Sequence, residues 1–232
     1  AVHINAGAAA HAVCIILGRR RGWPKTPMRP HNLTMVMLGA GLLWFGWFGF
    51  NAGSAYAADN TAAIAATNTL LATCAAGLAW LIVEKIRDKK ATSLGAASGI
   101  VAGLVAITPA CANVTPMGAI LLGLVAGAVC AWAVTLKYKL GFDDSFDVVG
   151  IHLVGGLVGT LALGFLASDL VEEGGQNGLL YGGDLNLLIV QIIAAAGVMV
   201  YSLILAGIIA LALKATIGIR SDEEDEVNGI DV

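Results

Sequence analysis

Apolar, nearly uncharged stretches recur along this chain at positions 1–18, 33–54, 61–84, 94–112, 116–137, 146–167 and 185–214. A helix rises 1.5 Å per residue, so about 20 such residues cross the roughly 30 Å of bilayer hydrocarbon. The pattern predicts seven membrane-spanning helices, the first of them cut short, and an all-α polytopic bundle. Glycine and alanine are frequent throughout, as in Gly39, Gly41, Gly46, Gly49 and Gly53, and in Gly95, Gly99 and Gly103. Small residues let helix backbones approach closely where lipid supplies no hydrophobic drive. The helices are therefore expected to pack tightly.

Composition agrees with this reading. The chain is 58% hydrophobic and 12% charged, with a mean hydropathy of +0.82, outside the range of a soluble domain. Ala1 opens an apolar run without a basic start or a cleavage site. The chain reads as the C-terminal part of a longer protein, with a transmembrane region at 1–220 and an acidic tail at 221–232. Cys14, Cys74, Cys111 and Cys130 stand singly and read as small hydrophobes. There is no Ser-His-Asp set, phosphate loop or metal cluster. An enzyme, a cofactor and a nucleic-acid partner are therefore not expected.

Charge placement orients the chain. All 13 Lys and Arg follow the first, third, fifth or seventh segment: Arg19 to Arg29, Lys85 to Lys90, Lys137 and Lys139, then Lys214 and Arg220. The alternate connections carry only acidic charge, at Asp59, Asp169, Glu172, Glu173 and Asp184. Basic residues are retained on the cytoplasmic side, so the first segment runs inward and the C-terminus is expected in the cytoplasm.

Two histidines interrupt the apolar pattern. Ala1-Val2-His3-Ile4-Asn5-Ala6-Gly7 and Gly150-Ile151-His152-Leu153-Val154-Gly155-Gly156 share the order apolar, His, two residues, small, Gly. An ionisable side chain within a membrane is costly and by default marks a pathway, a ligand or a bound ion. The motifs lie five segments apart, and this odd offset reverses their direction, as in an inverted five-helix repeat followed by one final helix. Depths counted along helices disagree, at roughly 22 Å from the inner end for His3 and roughly 9 Å for His152. They would match if the sixth helix began near Gly141, with Asp143, Asp144 and Asp147 in its first turns, where carboxylates favour the helix dipole.

Other features are less telling. Thr108-Pro109 marks either the end of the fourth helix or a kink. His11 and His31 read as structural or interfacial. A pair of membrane histidines could also ligate a haem, which would need facing helices with room for a porphyrin.

Together with the histidine motifs, three strings resemble one family: Phe45-Gly46-Trp47-Phe48-Gly49-Phe50-Asn51-Ala52-Gly53-Ser54, Ile107-Thr108-Pro109-Ala110-Cys111 and Asp143-Asp144-Ser145-Phe146-Asp147. In order and spacing they resemble the ammonium transporter family, related to the Rhesus proteins. The resemblance implies a homotrimer of eleven-helix subunits in the plasma membrane, each with a narrow apolar pore for ammonium or ammonia. It makes His3 and His152 the central twin histidines and places Trp47 and Phe50 in the outer pore. It makes Leu43 and Val148 apolar pore-lining positions, with the Thr108 hydroxyl beside the pore and Ser54 at the external recruitment site. The family's N-terminal half, with the remaining recruitment residues, has no counterpart here.

The final segment, Ser221 to Val232, carries six carboxylates in its twelve residues, which by charge alone describes a solvated tail. With Arg220 it is similar to family tails that dock on the cytoplasmic face and assist control by a PII-type protein. The basic connections at Arg19 to Arg21 and Lys85 to Lys90 are the expected docking partners. Family resemblance also admits an ammonium sensor as an alternative to a conduit.

Overall fold

The computed structural model describes residues 1–26, 29–171 and 174–229. Glu172, Glu173 and Ile230 to Val232 lie outside the described residues. The fold is all-α: α1 (Val2–Leu17), α2 (Leu33–Asn51), α3 (Asn60–Asp88), α4 (Ser93–Ile107), α5 (Pro116–Ala133), α6 (Leu136–Leu140), α7 (Val154–Leu166), α8 (Leu185–Thr216) and the short α9 (Glu223–Asn228). A π-helical turn, Val149–Leu153, leads directly into α7. Among the described residues, five helical segments are long and apolar enough to cross a membrane, while Val2–Leu17 and Ser93–Ile107 are shorter apolar helices. These seven correspond to the seven expected segments.

Local sequence explains where the helices begin. The side chains of Asn32, Asp59, Thr92, Thr115 and Asp184 each accept a hydrogen bond from a backbone N–H in the first turn of the following helix. Such caps satisfy donors that have no partner within the helix. Pro116 follows its cap, where a missing N–H costs nothing. α4 stops at Ile107, five residues before the expected boundary, because Thr108-Pro109 opens a run of turns that reaches Asn113. That proline ends a helix rather than kinking one.

α3 lies against both α4 and α5, and glycine makes this possible. A Cβ on Gly103 would sit 2.7 Å from the Thr73 Cα, and one on Gly127 would overlap the Ala76 carbonyl oxygen. Ala72, Ala76, Ala106, Leu122 and Ala126 are fully or nearly fully buried along this seam, so the packing is backbone against backbone. The described residues cover little of α2. Gly39, Gly41, Gly46, Gly49 and Gly53 have no neighbour within 4 Å of a built Cβ, and Phe45 is 79% exposed.

The ends of the bundle can be told apart. Arg19 and Arg20 follow α1 and bind Gly141 and Asp143, which precede the π turn and α7. α1 thus finishes where the segment leading to α7 starts, and the two histidine motifs run in opposite directions, as their spacing predicts.

Candidate functional site

Glycine brings the two histidine motifs together. A Cβ on Gly7 would overlap the Leu153 backbone nitrogen, and one on Gly156 would lie 3.1 Å from the Ile4 nitrogen and 3.2 Å from the His3 Cβ. Each motif's glycine therefore seats the other motif's helix. The histidines meet between these contacts, with Nδ1 of His152 3.4 Å from Nδ1 of His3. Of two such nitrogens, one must carry the proton and the other accept it.

The sixth helix does not begin near Gly141. Its first helical residues are Val148 and Val149, and Asp143 and Asp144 lie in non-helical backbone before them. Asp147 has a φ of 58°. Non-helical chain climbs up to about 3.3 Å per residue, twice the helical rise, so the residues from Gly141 to Asp147 can make up the depth that a helix count misses. Asp144 still serves the helix start, since its two carboxylate oxygens accept from the N–H groups of Val148 at 3.0 Å and Val149 at 2.7 Å.

Aromatic rings cover one side of the pair. Trp47 stacks on His3 with centroids 5.3 Å apart and planes at 17°, and Phe50 meets both rings edge-on, 6.3 Å from His3 and 5.5 Å from Trp47. The Trp47 indole N–H donates to Thr108 Oγ1, whose hydroxyl donates to the Leu104 carbonyl. A cavity of about 400 Å³ lies on this side, lined by His3, Leu42, Leu43, Gly46, Trp47 and Phe50. A second cavity of about 560 Å³, whose lining includes His152, Val148, Ile151 and Leu43, opens toward the basic end at Arg29. Ser54 sits in a single 3-10 turn beyond α2, exposed, its hydroxyl bonded to the Phe50 carbonyl. The histidine rings touch directly, which leaves no plane between them for a porphyrin.

Of the residues named from the sequence, His3, Leu43, Trp47, Phe50, Val148 and His152 line one or other of these cavities, and Thr108 joins them through its bond to Trp47, so four parts of the chain meet here. A family model described as Ammonium Transporter Family matches residues 1–232. The chain belongs to the Ammonium Transporter Family. It is 59% identical over 236 residues to an ammonium transporter of Mycobacterium tuberculosis, covering 100% of this chain and 50% of that protein. The crystal structure of Candida albicans Mep2 superposes with a TM-score of 0.88 at 34% identity, over 97% of this chain and 51% of that one. A solved structure described as "Sensor Amt Protein" gives a TM-score of 0.89 at 31% identity, over 100% and 57%. The chain thus spans about half the length of the curated ammonium transporters it matches first.

Within this family fold, sequence reading missed two cations. Arg20 grips Asp143 with its guanidinium, at 2.7 and 2.8 Å, and with its backbone N–H at 2.8 Å. Burial raises the Asp143 carboxyl, and these Arg20 bonds outweigh it, holding the group below the usual carboxylate range. Lys137 is buried and donates to the Asp144 carbonyl and to Asp147 Oδ1. In the sequence Lys137 counted only toward orientation, and Arg20 toward orientation and the expected docking of the tail. His11 packs edge-on against Phe142, and His31 is exposed; neither joins the pair.

The tail folds back on the basic end. Asp222 caps α9, Glu226 accepts from the Arg21 backbone N–H and pairs with Arg220, and Glu223 pairs with Arg21. The Arg21 backbone bond, then Arg220, hold the Glu226 carboxyl below its ordinary range. Arg220 also reaches the Leu17 carbonyl. In the connection expected as the second partner, Arg87 pairs with Asp88 and Lys89 donates to the Ile86 carbonyl; no hydrogen bond or ion pair with the tail is seen there among the described residues.

Proposed function

We propose that the intact protein carries ammonium, or ammonia and its proton, across the plasma membrane along the path that joins the two cavities through His3 and His152. The observation that carries this reading is the direct Nδ1 contact of the two histidines beneath the stacked face of Trp47. The aromatic faces of Trp47 and Phe50 attract a cation by about 0.5 to 2 kcal/mol, and the Ser54 hydroxyl supplies a polar contact nearby. Leu43 and Val148 then offer no ligand for an ion, whereas neutral ammonia crosses apolar surroundings at much smaller desolvation cost.

Deprotonation therefore belongs at the aromatic side, and the imidazole pair suits the passage beyond it. One ring donates while the other accepts, so the pair can pass a proton or guide ammonia without ever needing two charges. Retention of basic connections on the inner side puts the acidic tail in the cytoplasm. A homotrimeric assembly in membrane lipid and a PII-type partner at the tail belong to the same reading.

His152→Ala, and the paired substitution with His3→Ala, are expected to abolish methylammonium uptake or to admit potassium in vesicles containing the intact protein. Unchanged uptake with unchanged ammonium-over-potassium selectivity overturns the proposal. Sensing is the second reading, supported by likeness to the structure described as "Sensor Amt Protein".

A further inference from the structure

The ring of His152 sits on the least regular part of its helix. Val154 donates to the carbonyl of Val149 across five residues, the mark of a π turn, and single π turns inside α-helices often coincide with functional sites. Such a turn is less favourable than an α-helical one, so its surroundings must hold it. Three groups do so. A Cβ on Gly150 would lie 2.8 Å from the Val134 Cα, which seats the turn against the end of α5. Asp144 binds the N–H groups of Val148 and Val149 at the start of the turn. Lys137, one turn past Val134, holds the preceding backbone through the Asp144 carbonyl at 2.8 Å and the Asp147 carboxylate at 2.7 Å.

We propose that Lys137 is a positioning residue for the histidine pair, clamping Asp144 and Asp147 so that the π turn presents His152 to His3. The ammonium touches none of these three groups in this scheme. Asp147 carries a left-handed φ, a conformation unfavourable for a non-glycine residue unless its surroundings enforce it. Lys137 reaches the residue on that strained hinge and the carbonyl three residues before it. Losing the clamp lets the hinge relax and the cap on Val148 and Val149 drift. A displacement of about 1 Å at a reacting group can cost about 100-fold in rate. The consequence for transport rests on the proposed function; the clamp itself does not.

The experiment compares wild type, Lys137→Met and Lys137→Arg in the intact protein, reconstituted in vesicles and normalised to folded protein. Hydrogen exchange at the Val148–His152 amides is expected to speed up about tenfold or more in Lys137→Met, with α3 unchanged. The ratio of methylammonium to rubidium flux is expected to fall about tenfold, and Lys137→Arg should recover much of both. Should Lys137→Met fail to fold, Asp147→Asn is expected to move both readouts the same way. Unchanged exchange at Val148–His152 overturns the proposal. So does an unchanged flux ratio beside faster exchange, which would make Lys137 a purely structural residue. Wild-type vesicles that pass no methylammonium would instead remove the transport reading, and the exchange comparison would still decide the clamp.

Discussion

Trp47 donates its indole N–H to Thr108 Oγ1 at 2.9 Å while the face of the same ring lies over His3, 5.3 Å between centroids. The end of α4 thereby fixes the rotation of a ring on α2, and that ring covers an imidazole on α1. Thr108 is held in turn by its bond to the Leu104 carbonyl at 2.7 Å, so the arrangement has little freedom.

Thr108→Val keeps the shape of the side chain and removes the acceptor. The buried indole N–H is then left without a partner, at a cost of about 1–3 kcal/mol. We expect a lower melting temperature and reduced methylammonium uptake per folded molecule, with Thr108→Ser close to wild type on both measures.

The contact between the histidine motifs makes Gly7 intolerant of even one methyl group. Gly7→Ala places a carbon against Leu153 backbone that cannot yield without moving a helix, an overpacking cost of about 1–3 kcal/mol. Gly77→Ala meets only Ile100, at 3.9 Å, and should be neutral or mildly stabilising. Paired thermal melts in detergent distinguish the two; equal melting temperatures would contradict the close approach.

Removing Arg20 leaves a buried carboxylate unpaired. Asp143 has a side-chain exposure of 1%, and Arg20→Met should destabilise the protein by about 3 kcal/mol. The Asp143 carboxyl is held below its unfolded range, so its contribution is present above the unfolded pKa and is lost as pH falls through the folded one. The wild-type melting temperature should therefore drop at acid pH, and Arg20→Met should drop less over the same interval.

Docking of the tail follows the same sign. Glu226 has a lowered pKa from its Arg21 and Arg220 bonds, so α9 should stay docked at neutral pH and release only as pH falls below the ordinary glutamate value, about 4.3. Glu226→Gln should release it at neutral pH, read as faster proteolysis of the tail. A tail cleaved equally fast in wild type and variant would count against the contact.

How far the sequence reached depends on the kind of physical rule involved. Apolar runs of bilayer length place seven helices, because hydrocarbon demands about 20 apolar residues whatever the neighbours are. The odd offset between the motifs of His3 and His152 gives their opposed directions. Cap residues such as Asn32 and Thr115 mark helix starts by local hydrogen bonding alone. Backbone geometry was harder to read: the start of the sixth helix and the stop of α4 depend on contacts that no local pattern encodes. Gly46 and Gly103 look alike in sequence, yet one faces open space and the other a neighbouring backbone. The tertiary structure alone decided that Arg20 binds Asp143, that Lys137 binds Asp147, that the described residues of the tail meet Arg21, and that a π turn carries His152. The partners of Arg20 and Arg21 lie 123 and 205 residues away, and those of Lys137, 7 and 10 residues on, are met only through the non-helical turn before Val148; such pairing is set by how the backbone folds, not by what stands beside a residue in the chain.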